Sequence, residues 1–209
     1  ILGVAAKKLP EGARTRARAL VGATQQALGP IEILVSNAGM VQTGIAEETG
    51  GRFAALTDRQ WQRGLEMNLM TAGRLTRALL PGMAERRYGR NVHVSSVTGP
   101  LVSNPHSSIY SAAKAAMTGM TRSLAIEVAR LGVTVNCVGP GWIATASQSP
   151  EEAIAGQHTP IGRSGTPAEI GAVVAFLASE EASYVTGQLV VADGGNALQE
   201  YKGPSEGYY

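Results

Sequence analysis

The stretch VTVNCVGPG, residues 133–141, is a short apolar run that stops at a Gly-Pro-Gly turn. β-Branched residues closed by Gly and Pro are typical of a strand. Three further runs end at similar turns, at residues 31–37, 90–96 and 187–192. The run IEILVSN at 31–37 has the continuous apolar character of a buried parallel strand. The sequence therefore predicts four strands.

Long helical stretches separate these strands, with Thr57 and Asp58 as helix-capping candidates and a kink expected at Pro81. The predicted helices cover residues 12–28, about 57–87, about 108–131, and a stretch that follows Pro167. Strands that alternate with helices of this length indicate an α/β fold: a doubly wound, Rossmann-like parallel sheet with helices on both faces. We expect one domain over residues 1–209.

Composition excludes several classes of protein. The 209 residues are 44% hydrophobic and 16% charged, and the net charge of +2 is too small to favour nucleic acid as a partner. The single cysteine, Cys137, permits no disulfide within the chain, provides no second thiol for a metal cluster, and is expected to be a buried core thiol. No apolar run approaches the ~18 residues of a membrane span. We expect no metal, no membrane partner and a cytoplasmic location.

The stretch SIYSAAK, residues 108–114, places Tyr110 and Lys114 one helical turn apart. A lysine ammonium close to a phenol favours the phenolate and lowers the tyrosine pKa, which would allow proton transfer near neutral pH. The alternative is a surface pair without a role, and the spacing alone favours that alternative.

Ligands of parallel α/β sheets bind beyond the carboxyl ends of the strands. The polar residues at these ends are therefore candidates, and they are Asn37, Ser95, Ser96 and Thr145. Ser95 and Ser96 point to opposite faces because side chains alternate along a strand. A carbonyl near the strand end would accept hydrogen bonds from Ser96 and Tyr110 together. Asn68, within the preceding long helix, would kink that helix and hold a water leading to Lys114.

Several motifs occur together and in a fixed order. They are NAG at 37–39, Asn68, VSSVTG at 94–99, YSAAK at 110–114, NCVGPGWIAT at 136–145 and VTGQLVVADGG at 185–195. As a set they resemble the short-chain dehydrogenase/reductase family over roughly residues 20–197, and in that context the surface-pair alternative for Tyr110 and Lys114 becomes remote.

The resemblance implies an NAD(P)-dependent oxidoreductase that interconverts a carbonyl and a secondary alcohol. It makes Tyr110 the proton donor or acceptor and Ser96 the residue that polarises the carbonyl; Ser96 is chosen over Ser95 because it directly precedes VTG. It gives Lys114 two tasks, which are binding the nicotinamide ribose and lowering the tyrosine pKa. Asn68 would support the proton-relay water.

The resemblance also implies a cofactor site for NAD or NADP, with NADP slightly favoured. The segment of residues 141–157 is expected to be the substrate-specificity loop. Tyr110 and Lys114 are expected to contact the cofactor as well. The other cofactor-binding candidates are Asn37, Ala38 and Gly39 on the adenosine ribose side, Pro140, Gly141 and Ile143 around the nicotinamide, and Thr145 near its carboxamide or the phosphates.

The sequence departs from the family at its start. The glycine-rich turn T-G-x-x-x-G-x-G, which wraps the pyrophosphate, is not found in residues 1–30. We expect about two N-terminal βα units to be missing, which would leave the 31–37 strand with an open edge. The residue that selects NAD or NADP is therefore not identified.

Three functions are compatible with this pattern. The first is a carbonyl reductase or alcohol dehydrogenase, with 3-oxoacyl thioesters as a candidate substrate class. The second is a non-catalytic scaffold without a complete nucleotide site, and the third is a lyase or epimerase on the same frame. We also expect a homotetramer built on the two long helices, where small residues allow close approach: Ala112, Ala113, Ala115, Ala116 and Gly119.

Overall fold

The structure, a computed structural model, describes residues 13–39 and 49–204. The predicted start of the first helix at residue 12 lies outside the described residues. So does much of the segment in which the glycine-rich turn was sought.

All four predicted strands are present, and they form one parallel sheet. The strands follow their sequence order in the sheet: β1 Ile33–Ser36, β2 Gly89–Val94, β3 Val133–Pro140 and β4 Leu189–Ala192. The register aligns Ser36 with His93, His93 with Cys137, and Cys137 with Leu189. Because every pairing is parallel, all carboxyl ends lie at the same edge of the sheet.

The helices occupy the predicted stretches, with one addition. They are α1 Ala13–Leu28, α2 Asp58–Leu65, α3 Thr71–Arg86, α4 Ser108–Val128, α5 Pro150–Gln157 and α6 Pro167–Leu177, and short 3-10 turns cover Phe53–Ala55 and Ala129–Leu131. Helix α5 was not predicted, although a capping box marks its start: Ser149 accepts from the Glu152 N–H, and the Glu152 carboxylate accepts from the Ser149 N–H.

The predicted long helix over 57–87 is divided differently from the expectation. Thr57, one of the two predicted candidates, is the N-cap of this helix, and it forms a capping box with Gln60. The departure from α geometry, however, is a π-helical turn at Glu66–Met70, which joins α2 to α3. Helix α3 runs through Pro81 to Arg86.

Helices cover both faces of the sheet, as predicted. On one face, Met83 and Leu79 of α3 and Ala125 of α4 pack against Val133 and Val135, with α1 lying against α3. On the other face, Leu177 of α6 packs against Val92 and Val138. Alternate residues of β2 and β3 therefore enter two separate cores.

The described sheet has β1 at one edge and β4 at the other. Within residues 13–39 and 49–204, no strand pairs with the outer side of β1. Ile33 of β1 is 46% exposed, and Val191 of β4 is 40% exposed. In the described part of the chain, the expected open apolar edge is present at β1.

Candidate active site

Three strand ends and one helix start converge at the carboxyl edge of the sheet. Asn37–Gly39 follow β1, Ser95 and Ser96 follow β2, and Gly141 follows β3. The Val97 N–H donates to the Pro140 carbonyl at 3.1 Å, which ties the segment after β2 to the end of β3. Tyr110 lies in the first turn of α4, beside these ends.

Tyr110, Ser96 and Lys114 lie together at this edge. The Lys114 Nζ is 5.6 Å from the centroid of the Tyr110 ring. The Ser96 side chain hydrogen-bonds to the phenol and by this contact lowers its pKa. The Thr98 N–H donates to the Ser96 Oγ at 3.0 Å, and this bond to the oxygen orients the serine hydroxyl. The arrangement leaves the proton of that hydroxyl to point towards the phenol or a bound carbonyl.

Ser95 and Ser96 diverge, as the alternation of a strand requires. The Ser95 Oγ donates to the Lys114 carbonyl at 3.0 Å and lies 3.5 Å from the Thr118 hydroxyl, both on α4. Ser95 therefore anchors α4 to the sheet, while Ser96 is the serine beside Tyr110.

Lys114 is buried, with 4% of its surface exposed. Its Nζ donates to the Val94 carbonyl at 2.8 Å, at the last residue of β2. Burial lowers the pKa of Lys114 to about 8, since an ammonium loses its hydration inside the protein. The ammonium form still predominates at neutral pH, although by a much smaller margin than in water.

The pKa of Tyr110 moves in the opposite direction to the sequence-based expectation. Burial raises this pKa, the hydrogen bond from Ser96 lowers it, and the negative charge of Glu152 on α5 raises it. Desolvation of the phenolate outweighs the lowering of the Tyr110 pKa that was expected from the charge of Lys114. In this structure Tyr110 is therefore a protonated phenol at neutral pH, suited to donate a proton rather than to accept one.

Asn68 lies within the π turn and is 2% exposed. Its Nδ2 donates to the Gly64 carbonyl at 3.1 Å. A Cβ on Gly39 would lie 3.0 Å from the Asn68 Oδ1 and 3.7 Å from the Lys114 Nζ. Gly39 therefore brings the main chain after β1 close to both side chains. The predicted kink at Asn68 corresponds in the structure to a π turn at Glu66–Met70.

The other candidates for cofactor binding line the same edge. Asn37, Ala38 and Gly39 are exposed beyond β1. Gly141 packs so closely on Asp193 that a Cβ would lie 2.6 Å from the Asp193 Cβ. Thr145 is exposed further along the loop, and its hydroxyl lies 3.0 Å from the Ser147 hydroxyl.

The Ile143 segment is fixed by a main-chain ladder to Gly165. The Ala144 N–H donates to the Gly165 carbonyl at 2.8 Å, and the Gly165 N–H donates to the Trp142 carbonyl at 2.9 Å. The start of the predicted specificity loop is thus tied to the segment before α6, while its later part forms α5.

A buried polar row lies beneath the site, and the sequence pattern did not single it out. The Thr76 hydroxyl lies 3.1 Å from the His93 Nε2, the His93 Nδ1 lies 2.9 Å from the Thr121 hydroxyl, and that hydroxyl lies 3.1 Å from the Cys137 sulfur. Burial, and then the charge of Lys114, lowers the pKa of His93 to about 4. His93 is therefore neutral at physiological pH. Cys137 is buried, as predicted.

Metal binding and membrane insertion can be compared with the described part of the chain. Among residues 13–39 and 49–204, no group of three His, Cys, Asp or Glu side chains is arranged to hold a metal ion. None of the helices in this part of the chain is both long and apolar enough to cross a bilayer.

Comparison with known proteins gives consistent results. A family model described as enoyl-(acyl carrier protein) reductase matches residues 12–197. Nodulation protein G of Rhizobium sp. (strain N33) is 40% identical over 190 residues, covering 88% of this chain and 74% of that protein. The 3-oxoacyl-[acyl-carrier-protein] reductase FabG of Vibrio cholerae is 39% identical over 181 residues, covering 85% of this chain and 71% of that protein. A solved structure of a provisionally assigned gluconate dehydrogenase from Agrobacterium tumefaciens superposes with a TM-score of 0.81 at 27% identity, covering 91% of this chain and 75% of that protein.

The fold and these matches define an oxidoreductase with a Rossmann-like sheet. The chain belongs to the short-chain dehydrogenase/reductase family. The prediction of an NAD(P)-dependent enzyme is confirmed at this level. The relatives bear names that refer to different substrates, so the family alone does not define the substrate of this chain.

Proposed function

We propose that the protein interconverts a ketone and a secondary alcohol, with Tyr110 exchanging the proton at the reacting oxygen. The observation that carries this proposal is the meeting of Ser96, Tyr110 and Lys114 at the carboxyl edge of the sheet. Each group has a separate task there, and each task follows from its chemistry.

Tyr110 acts as the acid when a carbonyl is reduced. Its raised pKa keeps the phenol protonated at neutral pH, so its O–H donates to the carbonyl oxygen and the proton moves across as that oxygen becomes negative. Ser96 donates a second hydrogen bond to the same oxygen, because the Thr98 N–H already occupies one lone pair of its hydroxyl. The two donors together stabilise the developing charge.

Lys114 and Asn68 support the tyrosine. The Lys114 ammonium, 5.6 Å from the ring centroid, stabilises the phenolate that remains after proton transfer. The Asn68 Oδ1 and the Lys114 Nζ both lie beside Gly39, 3.0 Å and 3.7 Å from the position that a Cβ on this glycine would take. We assign Asn68 to hold a water through which Lys114 and Tyr110 regain a proton.

The residues present fit the nicotinamide end of the cofactor. An ammonium has three N–H donors, of which the Val94 carbonyl takes one, so Lys114 has donors for the ribose hydroxyls. Pro140, Gly141 and Ile143 would hold the nicotinamide through their main chain, Asn37–Gly39 would line the adenosine ribose, and Thr145 would face the carboxamide or the phosphates. When bound, the cofactor supplies or accepts the hydride.

The substrate class and the assembly belong to the same proposal. A 3-oxoacyl thioester is the first candidate substrate, since FabG of Vibrio cholerae is named for it. NADP is the first candidate cofactor. We propose a homotetramer in which the groove of about 510 Å³ between α3 and α4 is covered by another subunit. A single domain over 1–209 and a cytoplasmic location stay predictions.

Calorimetric titration and a substrate panel test the proposal. We expect NADPH or NADH to bind, and reduced-nicotinamide absorbance to fall with a 3-oxoacyl thioester or another ketone. Cofactor binding without turnover of any ketone or alcohol would contradict the reductase. If neither cofactor binds, the scaffold alternative is favoured, and a product formed without net oxidation would indicate a lyase or epimerase.

A further inference from the structure

The π turn at Glu66–Met70 is a departure from α geometry at a defined place in the long helix. The Thr71 N–H donates to the Glu66 carbonyl, five residues back, instead of four. Such turns are rare, and they need compensating contacts in order to persist. Two side chains from the turn itself supply part of this compensation.

Asn68 and Thr71 satisfy carbonyl groups along the turn. The Asn68 Nδ2 donates to the Gly64 carbonyl at 3.1 Å, and the Thr71 Oγ1 donates to the Met67 carbonyl at 3.0 Å. Both bonds reach four residues back, to carbonyls that a regular α-helix would pair with main-chain N–H groups. The amide of Asn68 is thereby oriented with its Nδ2 towards the helix and its Oδ1 towards Gly39, beside which the Lys114 Nζ also lies.

Packing on α4 explains why the turn is needed. The buried residues of this face follow one another at intervals of four: Gly64, Asn68, Ala72 and Thr76. In a regular α-helix each interval of four rotates the face by about 40°, so Thr76 would lie about 120° away from Gly64. The additional residue of a π turn removes most of this rotation. Gly64 can therefore pack on α4 while Thr76 contacts His93.

An ion pair spans the π turn from one end to the other. The Arg74 Nη1 donates to the Glu66 Oε2 at 2.5 Å, and the Arg74 Nη2 donates to the Glu66 Oε1 at 2.8 Å. The Arg74 side chain is 14% exposed, and the Glu66 side chain is 40% exposed. Two parallel, partly buried bonds are stronger and more directional than an ordinary surface pair.

We infer that Glu66 and Arg74 form a clamp over the π turn and act as positioning residues for Asn68. The clamp joins the first residue of the π turn to the first turn of α3, so that the turn cannot relax to α geometry without breaking it. Relaxation would rotate Asn68 away from Gly39 and Lys114. The catalytic part of this inference rests on the proposed role of Asn68, whereas the structural part does not.

Two variants and two controls test the clamp. Glu66→Gln removes the ion pair at nearly constant size, and Arg74→Gln removes it by replacing the guanidinium with a shorter, neutral amide. Glu66→Arg combined with Arg74→Glu restores a pair with the charges exchanged. Glu85→Gln is the matched control, since Glu85 is an exposed residue of α3 outside the clamp. Hydrogen exchange over residues 64–71 and steady-state kinetics are measured on each protein.

In each single variant we expect faster hydrogen exchange at 64–71 and a kcat about tenfold lower, with KM and cofactor affinity within about twofold, because misplacing a supporting group affects the chemical step. The exchanged pair should recover most of both properties, and Glu85→Gln should change neither. Unchanged exchange in the single variants would overturn the clamp, and faster exchange with an unchanged kcat would overturn its role in positioning Asn68 for catalysis. If the parent protein has no turnover, the proposed function fails, and hydrogen exchange alone then supports or overturns the clamp.

Discussion

Lys114 donates to the Val94 carbonyl inside the carboxyl edge of the sheet, and burial lowers its pKa to about 8. Tyr110, one helical turn earlier, has a raised pKa, again because of burial. At the scale of single residues, desolvation therefore has a larger effect than the attraction between the two groups. Burial favours the neutral, protonated form of Tyr110, whereas it disfavours the charged, protonated form of Lys114. At pH 7 only Lys114 therefore holds its proton at a cost in free energy.

Lys114→Met tests this cost. The ammonium is charged at pH 7 in both states, but its folded pKa of about 8 lies below the unfolded value, so the folded state pays up to about 3 kcal/mol for its charge. The variant also loses the hydrogen bond to the Val94 carbonyl, which is worth about 1 kcal/mol. We therefore expect it to be more stable than the wild-type protein by about 1–2 kcal/mol at pH 7, and inactive. The gain should shrink as pH rises from 8 to 10.5, where the wild-type protein loses the buried charge. Urea unfolding at pH 7 and pH 10 measures this, and a less stable variant at pH 7 would contradict it.

His93 provides a second test of burial. Its folded pKa is about 4, against about 6.5 in the unfolded chain. Between these two pH values the unfolded chain binds a proton that the folded chain does not, so stability falls as the pH drops from 6.5 to 4, by up to about 3 kcal/mol.

We expect His93→Gln to remove this contribution, because the glutamine amide keeps partners for Thr76 and Thr121 but does not titrate. The measurement is the free energy of unfolding from pH 4 to pH 8 for both proteins. Parallel curves over that range would show that His93 is not the responsible group.

The sequence predicted which residues meet at this site but not the direction of the Tyr110 pKa. Position follows from strand ends and the four-residue spacing, which are local properties. Burial depends on the packing of α5 and the surrounding loops, and it has no comparable local signal. The buried His93 was missed for a related reason. Polar residues alternate at 91 and 93 in β2 and at 95 just beyond it, which suggests a solvated face, whereas all three side chains are buried.

At the scale of elements, α2 packs against the first turn of α4, which carries Tyr110. A Cβ on Gly64 would overlap the Ile109 Cγ2, next to Tyr110. We expect Gly64→Ala to destabilise the fold by about 1 kcal/mol, because an overpacking cost of about 2 kcal/mol exceeds the gain in helix propensity. The kcat should also fall.

Gly22→Ala in α1 is the matched control. A Cβ there meets no atom within 4 Å, so this variant should be neutral or stabilised by up to about 1 kcal/mol. Thermal unfolding and kinetics of both variants give the comparison. A Gly64→Ala protein that is as stable and as active as Gly22→Ala would show that the close approach has no importance.

The strands and helices were predicted better than the segments that connect them. The strands and the long helices follow from apolar periodicity and from Gly and Pro turns. At Asn68 the sequence predicted a kink and not a π turn, since the signal of the π turn is the interval of four among buried residues, and burial is not visible in the sequence. Helix α5 was missed within the predicted loop, although Ser149-Pro150-Glu151-Glu152 is a clear start signal.

At the scale of the whole molecule, the apolar groove between α3 and α4 and the exposed end of α4 argue for assembly. Ile126 of α4 is 83% exposed, and the neighbouring Gly119 leaves open space where a Cβ would lie. We expect light scattering to give four times the mass of one chain. Gly119→Arg should reduce this mass because it blocks close approach of two helices, whereas Gly22→Arg in α1 should not. A monomer in the parent protein would contradict the tetramer.

Tyr110→Phe tests the central claim most directly, since it removes one hydroxyl and keeps the ring beneath Lys114. We expect the ketone reduction found with the parent protein to fall by about a thousandfold or more, while NADPH or NADH binds within about threefold of the parent affinity. Turnover within about tenfold of the parent, with the variant shown to be folded, would mean that the proton comes from another group and would contradict the mechanism.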